Sequence, residues 1–130
     1  MSRLLTGLAQ STVAHMAVAF LAMGGWAVWA NLAHPWPKPW VAGSVQGTLS
    51  AVLTLGLKRS VDGMRPRCPE RVALWAPPLV ASVVSAALLV AAHGVFGTPE
   101  IGRTVALPLS VSVSYIFAYN AYRYWRSEEP

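Results

Sequence analysis

Charge is what this sequence has least of. Only 12 % of its 130 residues are Asp, Glu, Lys or Arg, whereas 55 % are hydrophobic; an ordinary soluble domain carries about 25 % charged residues. So few charges cannot cover a water-soluble globule, and a soluble fold would leave large apolar patches exposed. Cysteine is nearly absent. The one thiol, Cys68, excludes an intramolecular disulfide and four-thiolate zinc or iron–sulfur sites within the chain. It lies in Arg65-Pro66-Arg67-Cys68-Pro69, a basic setting that favours a thiolate, although a spare reduced thiol in a loop is the simpler reading. Catalytic constellations are missing too: there is no Ser-His-Asp set, no phosphate-cradling glycine loop and no HExxH. No catalytic residue, metal site or cofactor is assigned, and a non-enzymatic role is expected.

The net charge of +5 does not imply a nucleic-acid partner. That reading needs a basic stripe on a folded soluble surface, and here the basic residues lie between apolar runs or near the chain ends.

What the sequence does have is four long apolar runs: about Leu8 to Leu32, Trp40 to Leu57 (stopped by Lys58-Arg59), Val72 to His93, and Ile101 to Tyr122 before Arg123 and a charged tail. Each meets the roughly 17–25 residues that a spanning helix requires. A membrane barrel would instead show segments of about 10 residues with alternating faces, and a helix satisfies its own backbone in lipid. The first run exceeds the core of about 7–15 residues usual for a signal peptide, so it reads as a retained helix. The expected fold is all-α: one domain over residues 1–130, a bundle of four transmembrane helices arranged as two helical hairpins.

Orientation follows from the basic residues. Arg3, Lys58, Arg59, Arg65, Arg67, Arg71, Arg123 and Arg126 fall on one side; Lys38 and Arg103 fall on the other. The positive-inside bias places both termini and the middle connection in the cytoplasm of a bacterial-type inner membrane. Trp26, Trp29, Trp36 and Trp40 then cluster at the outer interface, and Trp75, Tyr122, Tyr124 and Trp125 at the inner one, where amphipathic rings prefer to sit.

Lipid gives spanning helices no hydrophobic push toward one another, so close packing needs small residues. Gly43, Gly47 and Ala51 recur at spacing four, a seam suited to internal packing or to self-association; Ala81 with Ser85, Ala87 with Ala91, and Ser110 with Ser114 form shorter ones. Pro77 and Pro78 sit near the start of the third helix, where missing donors cost least; Pro108 is deeper, where a kink is expected. No Asp, Glu, Lys or Arg lies deep in any run, so no proton or ion relay is visible. Arg103 is placed to snorkel outward toward Glu100. His34 and His93, both near the outer surface, are the residues on which a metal or haem would depend; interfacial histidines are the plainer account.

The two halves look alike in layout, each ending in a basic cluster: Leu57-Lys58-Arg59 and Tyr122-Arg123-Tyr124-Trp125-Arg126. With four helices in this length and the run Tyr119-Asn120-Ala121-Tyr122-Arg123-Tyr124-Trp125, the chain resembles the GtrA-like membrane proteins, which are associated with moving polyprenyl-phosphate-linked sugars for cell-surface glycosylation. Asn120, Arg123 and Trp125 carry the resemblance; Leu55-Gly56-Leu57-Lys58-Arg59 keeps the basic pair but lacks the Asn and Trp. The resemblance implies an anionic lipid head group at Lys58, Arg59, Arg123 and Arg126, and a polar path using Gln46, Tyr119 and Asn120, with Ser50, Thr54, Ser112 and Tyr115 as further hydrogen-bonding groups if they face one cavity. The expected partners are the bilayer and anionic or polyprenyl lipids. A non-catalytic subunit that packs on a larger membrane complex or on a second copy is the alternative, and a haem- or quinone-associated electron carrier is a third reading.

Overall fold

The computed structural model describes the backbone of residues 2–127 and the side chains of residue 3 and residues 12–127. All regular structure among the described residues is helical: α1 (Ser2–Ala30), α2 (Lys38–Met64), α3 (Ala76–Val95) and α4 (Ile101–Ser127), with short 3-10 turns at Arg65–Arg67 and Val72–Leu74. Each of the four long helices is long and apolar enough to cross a membrane. Their outward faces agree with that. Val18 and Leu21 on α1, and Val83, Val84, Leu88 and Val90 on α3, are exposed, a surface that water would penalise and that hydrocarbon accepts.

The helices differ from the apolar runs at several ends. α1 starts before Leu8, and it ends at Ala30 because Asn31 to Ala33 turn. α2 does not stop at Lys58-Arg59; it continues to Met64. Lys and Arg are good helix formers, so a basic pair marks the edge of the apolar zone, not the end of the helix. The α-helix gives way at Pro66, which has no N–H to give; Arg65 keeps an α conformation and the chain tightens into the 3-10 turn. That extension places Asp62 on a helix. The third run is broken: Val72–Leu74 is a separate 3-10 turn, and α3 begins at Ala76 with Pro77 and Pro78 in its first turn. α4 continues past Tyr122 to Ser127 with Pro108 buried inside it; Pro130 lies outside the described residues.

α1 and α2 pack most closely. A Cβ built on Gly24 would lie 2.9 Å from Gly43 O, one on Gly43 would run into the Val28 side chain, and one on Gly47 would lie 2.9 Å from Phe20 O. Residue numbers rise on α1 as they fall on α2, so the pair is antiparallel. The backbones approach because these positions lack side chains, which is how membrane helices gain dispersion contact. Ala51, the third member of the spacing-four row, is half-buried. A small apolar cluster of Leu57, Val61, Ala81 and Ile116 joins α2, α3 and α4, with Leu53, Met64 and Tyr119 against it.

Gly47→Ala should therefore lower stability in detergent, by the ~1–3 kcal/mol typical of overpacking, because its new methyl meets backbone. Gly25→Ala meets nothing within 4 Å and should be neutral or slightly stabilising. Thermal unfolding of the two variants side by side is the measurement.

Candidate functional site

The two ends of the bundle are built differently. At the end carrying the connections 31–37 and 96–100, polar side chains close on one another. Buried Asn31 donates through Nδ2 to Ala27 O (2.8 Å) and to Thr104 Oγ1 (2.8 Å), while its Oδ1 accepts the Glu100 backbone N–H (3.0 Å). Thr104 donates onward to Glu100 O, and Glu100 Oε1 lies 3.0 Å from His34 Nε2. Lys38 donates to the carbonyl of Gly97 (3.2 Å), whose φ of 69° suits a residue without Cβ. Trp26 Nε1 donates to Arg103 O (3.0 Å). Glu100 is thus engaged by His34, and the Arg103 guanidinium rests 4.9 Å from the Trp29 ring centre instead.

A second buried chain joins α2 to α3. His93 Nε2–H donates to Gln46 Oε1 (2.9 Å), the Thr98 hydroxyl donates to His93 Nδ1 (2.7 Å), and Gln46 Nε2 donates to Ser50 Oγ (2.8 Å). One neutral imidazole meets both neighbours in this arrangement. His93 is fully buried within the protein: the chain reversal after α3 brings Thr98 to one ring nitrogen while α2 brings Gln46 to the other. His34 and His93 are held by different partners. Among the described residues no group of three or more His, Cys, Asp or Glu is placed to hold a metal.

The opposite end is open. Tyr119 on α4 donates to Asp62 Oδ2 (2.8 Å), Arg123 Nε stands 3.7 Å from Asp62 Oδ1, and Lys58 Nζ lies over the Tyr119 ring at 5.1 Å. On one side of this Asp62–Tyr119 wall is a groove of about 380 Å³ between α1, α2 and α4, lined by Thr12, His15, Lys58, Arg59 and Tyr115 among others. Through His15, Thr54 and Tyr115 it continues into a more apolar stretch with Leu57, Val111 and Ser112. Tyr115 and Tyr119 stack along its wall, ring centres 6.2 Å apart. On the other side is a cleft of about 600 Å³ lined by Asp62, Arg65, Cys68, Glu70, Arg123 and Tyr124. Beside that lies a basic recess of about 370 Å³ with Arg65, Arg123 and Arg126.

The structure therefore divides the residues that the sequence grouped. Lys58 and Arg59 line the groove, while Arg123 and Arg126 line the recess, with the Arg126 guanidinium donating to the Tyr122 hydroxyl (2.9 Å). Gln46, Tyr119 and Asn120 do not face one cavity. Gln46 is spent on His93 and Ser50. Asn120, fully buried, donates to Ala73 O (3.0 Å) and Leu74 O (2.7 Å), tying the 3-10 turn to α4. Of the three only Tyr119 borders an open groove, and Thr54, Ser112 and Tyr115 join it there. Sequence reasoning passed over Asp62 and Arg65, because both were counted as loop. The signal for Asp62 was its spacing of four from Lys58, which keeps both on one helix face.

No protein-family model, curated protein or solved structure matches this chain. The open end itself offers cations beside a mouth of apolar and hydroxyl groups.

Asn120→Ala should release the carbonyls of Ala73 and Leu74 and loosen the 65–75 connection. Limited trypsin digestion should then cut faster at Arg67 and Arg71, with stability falling by ~1–3 kcal/mol. Tyr119→Phe, which leaves those two bonds in place, should keep the wild-type rate; equal acceleration in both variants would deny Asn120 this tethering part.

Proposed function

We propose that this chain is a multi-pass inner-membrane protein of two helical hairpins, with both termini cytoplasmic, that binds a polyprenyl-phosphate-type lipid while a lipid-linked sugar is moved or a cell-surface glycan is modified. The observation that carries the reading is the groove between α1, α2 and α4. Its mouth holds Lys58 and Arg59, and its inner stretch turns apolar at Leu57 and Val111, the polarity order of an amphiphile with an anionic head. Asp62 in the mouth is engaged by Tyr119, which leaves the two cations to meet a phosphate. The hydroxyls of Thr54 and Tyr115, which line the groove itself, supply further hydrogen-bonding partners beside the phosphate. The chain works by binding and passage, without covalent chemistry of its own. The resemblance to the GtrA-like proteins, carried by Asn120, Arg123 and Trp125, agrees with this role.

A second reading, a non-catalytic subunit of a larger membrane complex, draws on one observation. The Gly43–Gly47 seam is consumed by α1, but Gly102, Ala106, Ser110, Ser114 and Ala118 form a row of small residues at spacing four along α4, all exposed. Such a row suits contact with another spanning helix. Co-purification of a stoichiometric membrane partner, lost on Ser110→Leu with Ser114→Leu, would favour it.

The lipid reading predicts that the double variant Lys58→Gln with Arg59→Gln retains a polyprenyl phosphate about tenfold more weakly, as native mass spectrometry can measure. Each basic charge near an anionic surface contributes roughly 1 kcal/mol, and exposure screens part of it. Retention of the uncharged polyprenol should not change. Equal loss of both would show a damaged fold, and no loss of either would remove the groove from consideration. For topology, reporters inserted in 31–37 and 96–100 should read periplasmic, and those in 65–75 or at the carboxyl terminus cytoplasmic.

A further inference from the structure

The cleft on the far side of the Asp62–Tyr119 wall has a different charge character from the groove. Two guanidiniums, Arg65 and Arg123, and two carboxylates, Asp62 and Glu70, line the same space of about 600 Å³. These groups do not neutralise one another. The ion pair among them is the one between Arg123 Nε and Asp62 Oδ1, at 3.7 Å too long for a hydrogen bond. Arg65 Nε and Asp62 Oδ1, both buried atoms, have no hydrogen-bond partner. Native proteins rarely leave such atoms unmet, and here one unmet donor and one unmet acceptor stand beside a single opening. A ligand carrying only negative charge would leave the carboxylates opposed to it. A ligand carrying both signs would meet all four groups.

The neighbouring recess sets the direction. Arg65 and Arg123 border both spaces, and the recess beyond them adds Arg126 and no carboxylate. The positive potential is therefore greatest where Arg65 and Arg123 border the recess, while Asp62 and Glu70 line the cleft and not the recess. Trp75, Tyr122 and Trp125 are exposed at this same end, as interfacial aromatics are, so the cleft lies at the depth of lipid head groups. We propose that it binds a phosphate ester bearing a primary ammonium, the chemistry of a phosphoethanolamine head group, with the phosphate on Arg65 and Arg123 and the ammonium on Asp62 and Glu70. Guanidinium forks match phosphate oxygens bidentately, and an ammonium has three donors for carboxylates. The site is separate from Lys58 and Arg59, so it stands or falls independently of the polyprenyl-phosphate reading.

The test uses the full chain in detergent, offered phosphatidylethanolamine, phosphatidylcholine and phosphatidylglycerol with identical acyl chains, with bound lipid counted by native mass spectrometry. Phosphatidylethanolamine should be retained about tenfold over the other two, the scale of one charge-assisted hydrogen bond. Phosphatidylcholine lacks N–H donors on its quaternary nitrogen, and phosphatidylglycerol lacks a cation. Glu70→Gln and Asp62→Asn should each reduce the preference without weakening phosphatidylglycerol, and Arg65→Gln should weaken all three. Glu70 is exposed, so its variant reports even if loss of the Asp62 carboxylate disturbs the fold. Displacement by millimolar O-phosphoethanolamine would assign the site to the soluble head group, and an unchanged preference in its presence would assign it to the lipid. Equal retention of the three lipids, or a preference unaltered by Glu70→Gln, would overturn the proposal.

Discussion

A polar side chain surrounded by hydrocarbon has only the protein to bond to, and that constraint organises this bundle. Asn31, Gln46, His93 and Thr104 are all fully buried, and each left unmet would cost ~1–3 kcal/mol or more. Their partners lie on other elements, so satisfying them fixes how the helices stand. Asn31 to Thr104 sets α1 against α4, and His93 to Gln46 sets α3 against α2. These bonds are directional where apolar contact between lipid-exposed helices is not. The glycines of α1 and α2 then let the two backbones approach closely at Gly24, Gly43 and Gly47.

The same constraint explains why the two ends differ. At the end of Asn31 and Glu100 the connections are short and the polar groups bond to one another. At the end of Asp62 and Arg65, the connection from 65 to 75 is broken by prolines and 3-10 turns, and the side chains around it are charged and half-exposed. Asn120 ties the second turn to α4, yet its own Oδ1, Asp62 Oδ1 and Arg65 Nε remain unmet. Among the described residues, the buried side-chain atoms without a partner therefore all lie at this one end.

The four helices long and apolar enough to span a membrane were legible in the sequence because each carries an apolar run of about 20 residues. Helix ends were less legible, for the same reason. Lys58-Arg59 and Tyr122 mark where the apolar zone stops, while the helices run on to Met64 and Ser127. That difference hid Asp62, which counted as loop when the helix was taken to end at Leu57. The Gly43–Gly47 spacing was readable, but whether it faced α1 or another copy was not, since a small-residue row carries no address. Gln46 and Asn120 were singled out as polar residues in apolar helices, which is correct as a signal of importance. Sequence cannot say whether such a residue faces a cavity or a neighbour. Here His93, 47 positions from Gln46, decides the first case, and the carbonyls of Ala73 and Leu74 decide the second.

Asp62 gives the open end its division of labour. Its Oδ2 is bonded to Tyr119, whose ring in turn carries the Lys58 ammonium, and its Oδ1 looks toward Arg123. One carboxylate therefore stands between two basic populations, Lys58 with Arg59 on one side and Arg65 with Arg123 and Arg126 on the other. Without it, the five cations that line these three spaces would face anionic lipid with no carboxylate between the two populations. With it, each side has its own balance: the groove keeps an excess of positive charge beside an apolar channel, and the cleft, which also holds Glu70, pairs positive with negative. Selectivity between lipids that share a phosphate depends on what stands beside the phosphate, and under the two proposals that neighbour is set by Asp62, four positions after Lys58, with Glu70 on the cleft side.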